Sequence, residues 1–193
     1  FARPEILARE LKEEIRTGQI AASYVGCNRL FTHAGVRSGL REQLMSEIAP
    51  DQSTIEPQDI DLSVLAEHVN GLFGKHVKSG KLSHRDHALF YVDGTRGGSD
   101  PFGGLFWGDY TRILASGGAW EIPQVFGHSP SRSDQIRHNG NLCLINVDAG
   151  MCEGFGGHRV YLEIDTKGNV FEHSKNKDGI WKKTRLTDQS TSR

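Results

Sequence analysis

This sequence has few cysteines, no long apolar run and almost no excess of charge of either sign. Among its 193 residues are three cysteines, Cys27, Cys143 and Cys152, an odd number without Cys-x-x-Cys spacing, which argues against a disulfide framework or a zinc knuckle. No apolar run approaches the roughly 20 residues of a membrane-spanning helix. Basic and acidic residues number 23 and 24, so neither nucleic acid nor a membrane is expected as a partner. These absences predict a soluble, cytoplasmic protein.

The length of the chain predicts a single domain over residues 1–193, with a polar and frayed end from 187 to 193. The sequence begins with Phe1 rather than Met, and its first residues do not resemble a signal peptide. We therefore expect a fragment or a processed product.

Hydrophobic periodicity predicts three helices. The first spans residues 4–17, where Leu7, Leu11 and Ile15 recur at a spacing of four and Gly18 suits the C-terminal cap. The second spans 40–48, and the third runs from 62 to before Gly80 with Asp59 or Asp61 as its cap.

Short apolar runs predict strands at 21–31 (one strand or a pair), 88–92, 124–126, 142–147, 159–164 and 169–173. The turn from Asp165 to Gly168 indicates a hairpin between the last two. Residues 94–104 contain five glycines and predict a long mobile loop, which we interpret as functional because it leads into the aromatic cluster at 106–110. Helices mixed with strands give the fold class α/β.

Two histidines follow apolar runs of the same design. Leu30-Phe31-Thr32 leads into His33, and Val125-Phe126-Gly127 leads into His128. Loops after strands commonly carry function, so we expect the two imidazoles to meet in space, where they would suit manganese, iron or zinc. The alternative is two unrelated loop histidines, because a separation of 95 residues does not identify a metal site and two ligands are too few.

Three segments, taken in order, resemble the later motifs of calcineurin-like metallophosphatases. They are Leu30-Phe31-Thr32-His33-Ala34-Gly35, Val125-Phe126-Gly127-His128-Ser129 and Ile145-Asn146-Val147-Asp148-Ala149-Gly150-Met151, with Gly104-Leu105-Phe106-Trp107 similar to the Gly-Pro-Leu-Trp segment between the two histidines. The resemblance extends over about residues 15–170. It is closest to the phosphoprotein phosphatases, in particular the bacterial-type Shewanella-like branch.

The resemblance implies a four-layer α/β/β/α sandwich and a metal-dependent phosphatase of phosphate monoesters. In that family two divalent ions (Mn, Fe or Zn) lie about 3.5–4 Å apart, and a metal-bound hydroxide attacks phosphorus. By resemblance, His33 and His128 are ligands of one ion and Arg112 binds phosphate. The alternative for Arg112, which is offset from the family pattern, is an ordinary surface arginine, and we expect Trp107 to belong to the core or the pocket wall. The implied substrate is a phosphorylated protein or a small phosphoester.

The family's earlier motifs, Gly-Asp-x-His-Gly, Gly-Asp-x-x-Asp-Arg-Gly and Gly-Asn-His-Glu, do not occur in this sequence. The resemblance therefore covers only the C-terminal half of such an enzyme, and the general-acid histidine would lie upstream of residue 1. Two alternatives stay open. One is a dinucleoside polyphosphate hydrolase of the same superfamily, and the other is a catalytically incompetent fragment or pseudo-phosphatase that acts by binding.

Overall fold

A computed structural model describes residues 4–50, 59–79, 87–110 and 120–188. It confirms all three predicted helices, which are α1 (Pro4–Arg16), α2 (Ser38–Ile48) and α3 (Leu62–Ser79). Asp61 rather than Asp59 caps α3, because its Oδ1 accepts a hydrogen bond from the N–H of Ser63 at 2.8 Å. Gly18 follows α1 with a φ of +79°, a backbone conformation that ends a helix readily only at glycine.

Five strands form the first sheet, in the spatial order β1-β2-β3-β5-β4. Their bounds are Ser23–Gly26 (β1), Arg29–Thr32 (β2), Gln124–Phe126 (β3), Arg137–His138 (β4) and Leu144–Asn146 (β5). The outer pairs are antiparallel, whereas β2, β3 and β5 run parallel to one another. The predicted strand pair at 21–31 is confirmed as the hairpin of β1 and β2.

Three antiparallel strands form the second sheet, in the order β6-β7-β8. They are Val160–Ile164 (β6), Val170–Lys175 (β7) and Trp181–Leu186 (β8), and the predicted turn between β6 and β7 closes with a bond from Gly168 N–H to Asp165 O. Strands β4 and β8 are not among the strands predicted from the sequence. The segment Trp-Lys-Lys-Thr-Arg-Leu of β8 is mostly polar, so it gives almost no hydrophobic signal for a strand.

The first sheet has helices on one face and the second sheet on the other. Leu30 points into a cluster with apolar side chains of α2 and α3, whereas Val125 and Ile145 point to the opposite face and pack against Val160 and Val170. Because side chains alternate along a strand, β2 supplies both cores, with Leu30 on one face and Phe31 on the other. The mixed α/β class is thereby confirmed.

One prediction between residues 88 and 104 is wrong. The strand expected at 88–92 is a 3-10 turn, Ala88–Phe90, in which Nδ1 of His87 accepts a hydrogen bond from the N–H of Leu89 at 3.1 Å. The loop expected at 94–104 is present, and it contains a hydrogen-bonded turn in which the Oδ1 of Asp100 accepts from the N–H groups of Phe102 (2.9 Å) and Gly103 (2.7 Å) while Arg37 donates to Gly103 O (2.9 Å). Asx turns of this kind are hard to distinguish from irregular loops by composition alone.

None of the helices in the described ranges is both long enough and apolar enough to cross a membrane.

Candidate metal centre

His33 and His128 lie side by side at one edge of the first sheet. His33 follows β2 directly, and His128 comes two residues after β3. The two strands are parallel neighbours, with Leu30 opposite Gln124, so their carboxyl ends and the loops after them lie at the same edge. Sequence reasoning expected these imidazoles to meet, and the structure brings them into contact.

The contact is a short one between ring nitrogens. Nε2 of His33 lies 2.7 Å from Nδ1 of His128, and the ring centroids are 4.6 Å apart. Two imidazoles on one zinc-sized ion hold their nitrogens roughly 2.9–3.4 Å apart, given metal–nitrogen bonds of about 2.0–2.1 Å. If the two rings moved slightly further apart, both nitrogens would be placed to bind one ion instead of each other.

Buried backbone contacts fix the two loops. The side-chain amide of Gln124 accepts from Val36 N–H (2.8 Å) and donates to Val36 O (3.1 Å) and Trp120 O (2.8 Å). The N–H of Gly127 donates to His33 O at 2.9 Å, so the two histidine loops are bonded directly. Gly35 has a φ of +85°, and a Cβ there would lie 3.2 Å from the ring of Phe126, which explains why this turn requires glycine.

His128 itself has a φ of +69°, in the left-handed region that a histidine adopts at a cost of the order of 1 kcal/mol. Neighbouring bonds hold this conformation, because Asn146 Nδ2 donates to Ser129 O (2.9 Å) and Ser129 Oγ accepts from Tyr110 N–H (3.0 Å). Strained backbone held in this way commonly marks a functional position.

His128 is strongly biased towards its neutral form. Burial, followed by the positive charges of Arg96 and His33, lowers the pKa of His128 from 6.5 to about 4, against the opposing effect of Asp148 and Asp109. Its Nε2 is buried and has no hydrogen-bond partner among the described residues. A neutral imidazole is the form that binds a metal ion.

Asp148 and Arg96 extend the site. Asp148 lies two residues after β5, the parallel neighbour of β3, so three adjacent strands deliver His33, His128 and Asp148 to the same edge. Arg96 is exposed, in a 3-10 turn of the glycine-rich segment, and it was missed because an arginine between glycines carries no motif. Arg112, predicted to bind phosphate, lies outside the described residues.

An open groove of about 1310 Å³ adjoins the histidine pair. Its wall includes both histidines and Trp107, whose ring meets that of His128 edge-on at 5.7 Å. The expectation that Trp107 forms a pocket wall agrees with this position. The remaining lining is mostly apolar, and among the described residues it contains no Lys, Arg, Asp or Glu.

The residues present fit part of a metal site. Two facing imidazole nitrogens, one of them on a ring that stays neutral above about pH 4, are a suitable half of a borderline-cation centre. No group of three or more His, Cys, Asp or Glu in the described part of the chain is arranged to hold an ion. The pair would therefore need further ligands to bind a metal tightly.

Comparisons of the chain with models of protein families, with curated proteins and with solved structures found no match.

Proposed function

We propose that this chain forms part of a metal-dependent phosphatase, in which His33 and His128 bind one of two divalent ions and the first and second sheets are the inner layers of an α/β/β/α sandwich. The observation that carries the proposal is the 2.7 Å approach of the two imidazole nitrogens at the carboxyl ends of β2 and β3. When bound, such ions would supply an activated water and offset charge on the phosphoryl oxygens.

The chain's own residues support this role in distinct ways. The low pKa of His128 keeps its ring available to a cation through the whole physiological range. The positive charge of Arg96 near His128 would attract a phosphate group to the same place, which makes Arg96 a second candidate for phosphate binding beside Arg112. Asp148 would offset part of the positive charge that a cation brings.

Metal binding can be tested on the 193-residue chain itself. Titration with Mn²⁺, followed by calorimetry, should show one weak site that His33→Ala and His128→Asn each weaken by about tenfold or more. Asparagine suits the backbone at 128, because it tolerates the left-handed region. His138→Ala is the matched control, since His138 lies in β4 and bonds to Asn139 O. Equal Mn²⁺ affinity in the parent and in all three variants would contradict the assignment of His33 and His128 as metal ligands.

Catalysis is tested on the intact gene product. With Mn²⁺ present, His128→Ala should lower hydrolysis of p-nitrophenyl phosphate by about 100-fold or more, whereas His138→Ala should leave it unchanged. Retained activity in His128→Ala would contradict the proposal. A phosphopeptide and diadenosine tetraphosphate, compared in the same assay, decide between a phosphoprotein and a dinucleoside polyphosphate as substrate.

A non-catalytic role is the second candidate, and it is favoured by the shortage of ligands around the histidine pair within residues 4–50, 59–79, 87–110 and 120–188. On this alternative the protein binds a phosphorylated partner without hydrolysing it. Mn²⁺-stimulated hydrolysis that depends on His128 would exclude the alternative, and its absence from the intact gene product would favour it.

A further inference from the structure

The second sheet has one covered face and one face in solvent. Side chains alternate along its strands, so Val160, Leu162, Ile164, Val170 and Leu186 pack against the first sheet. The opposite face, which we call the outer face, carries four rings and three cations, with the carboxylates Glu163 and Asp165 beside them. The rings belong to Tyr161, Phe171, His173 and Trp181.

Two of the rings are held in place and still half-exposed. The ring of Tyr161 lies parallel to that of His173, with 4.4 Å between centroids and 8° between planes. Trp181 meets Tyr161 at 5.4 Å and 61°. Tyr161 and Trp181 are 50% and 49% exposed, so a large planar surface faces water instead of a core.

The charges of the outer face are mainly positive. Its cations are Lys175, Lys183 and Arg185, with Lys175 Nζ 5.8 Å from the ring centre of Trp181. Two carboxylates oppose these cations. Glu163 accepts bonds from Lys183 (2.8 Å) and His173 (2.6 Å), and these bonds lower its pKa. The pKa of Asp165 is lowered first by a hydrogen bond from Asn169 and also by the charge of Arg185. The near-zero charge of the whole chain therefore conceals a face with an excess of positive charge.

We propose that the outer face binds single-stranded nucleic acid. Such a strand carries planar bases and anionic phosphates in alternation, and the outer face offers rings for stacking beside cations for the phosphates. A neutral sugar would use the rings alone, and an acidic peptide would use the cations alone. The charge balance of the whole sequence predicts no nucleic acid partner, because a net charge of -1 averages over this face.

No residue of the outer face belongs to the histidine pair or the groove, so the nucleic-acid and metal-binding proposals rest on different residues. They differ on the layers: a complete α/β/β/α sandwich would cover the outer face with helices, so binding of nucleic acid to this face in the intact gene product would exclude that fourth layer. The nucleic-acid proposal predicts binding that depends on both stacking and charge. For three cations the logarithm of affinity should fall with the logarithm of salt concentration with a slope of about -2. Removal of one stacking ring should weaken binding by about tenfold.

The test is fluorescence anisotropy of a labelled oligothymidylate of roughly 12 nucleotides, added to the 193-residue chain at low salt. Trp181→Leu removes the stacking plane but keeps an apolar side chain, and should weaken binding about tenfold with unchanged circular dichroism. Tyr24→Leu, at the most exposed aromatic residue of the first sheet (67%), is the matched control and should bind as the parent does.

Three outcomes would overturn the proposal. One is no binding of the oligonucleotide at low salt. Another is binding that inorganic polyphosphate abolishes and that Trp181→Leu leaves unchanged, which would show attraction of any polyanion. The third is tighter binding of an acidic or phosphorylated peptide with the same dependence on Trp181, which would show a peptide surface.

Discussion

At the scale of single residues, His128 links protonation to stability. Its pKa is about 4 when folded and 6.5 in an ordinary environment, so the unfolded chain binds the extra proton first as pH falls. The stabilising contribution is complete above pH 6.5 and is lost as pH falls from 6.5 to about 4. Because the ring is only partly buried, screening by solvent limits the effect to about 1 kcal/mol.

Urea unfolding in the presence of EDTA, at pH 7 and at pH 4.5, measures this contribution. The parent should lose about 1 kcal/mol more than His128→Asn between the two pH values, since asparagine cannot titrate. An equal loss in both proteins would show that other groups carry the pH dependence.

Residue-level reasoning from the sequence placed His33 and His128 correctly because each follows a strand-like run. It could not predict the contact between the two ring nitrogens, the left-handed backbone at 128 or the position of Arg96 near His128. These depend on which loops lie next to one another, and His128 and Arg96 come from segments with no shared pattern.

At the scale of elements, the loop at 94–104 depends on close backbone packing at Gly104. Its N–H donates to Tyr91 O at 2.8 Å, and a Cβ at this position would lie 2.3 Å from Leu89 O and 2.5 Å from Ala88 O. Main-chain oxygens cannot move aside as a flexible side chain can. Gly104→Ala should therefore destabilise the protein by about 1–3 kcal/mol.

Gly140→Ala is the matched control, because no atom lies within 4 Å of a Cβ built there. Its free energy of unfolding should stay within about 0.5 kcal/mol of the parent, or rise slightly as the unfolded chain loses freedom. Thermal or urea unfolding compares the two variants, and equal stabilities would contradict the packing at 104.

Helices were predictable at this scale because periodicity over many residues averages out local exceptions. The prediction of a strand at 88–92 was wrong because that segment is too short for such averaging. Five apolar residues cannot distinguish a strand from a turn, and here the ring of His87 and the backbone of Gly104 and Leu105 take the hydrogen bonds that a neighbouring strand would have taken.

At the scale of the whole molecule, the two sheets share one apolar cluster and should unfold together. Val170 of β7 is 3% exposed and packs in the cluster that contains Val125 of β3. Val170→Ala should cost about 1–3 kcal/mol through lost burial and a residual cavity. Hydrogen exchange should show equal losses of protection in β3 and β7. Loss confined to β7 would show two independent units.

The α/β class followed from the sequence, but the sheet order did not. Strands β2 and β3 are neighbours although residues 33–123 separate them, and no local pattern encodes that pairing. The same is true of the layer order, which arises because β2 turns Leu30 to the helices and Phe31 to the second sheet. Non-local burial decides such contacts, so they become visible only in three dimensions.

The left-handed backbone at His128 has a consequence for sequence drift. Glycine and asparagine suit a φ of +69° better than histidine does, so mutation under pressure for stability alone would replace the imidazole at 128 with one of them. No positive φ opposes histidine at 33. The two histidines therefore differ in what their conservation among homologues would mean. A conserved His128 would indicate that selection maintains its ring for function, whereas a conserved His33 would not by itself do so.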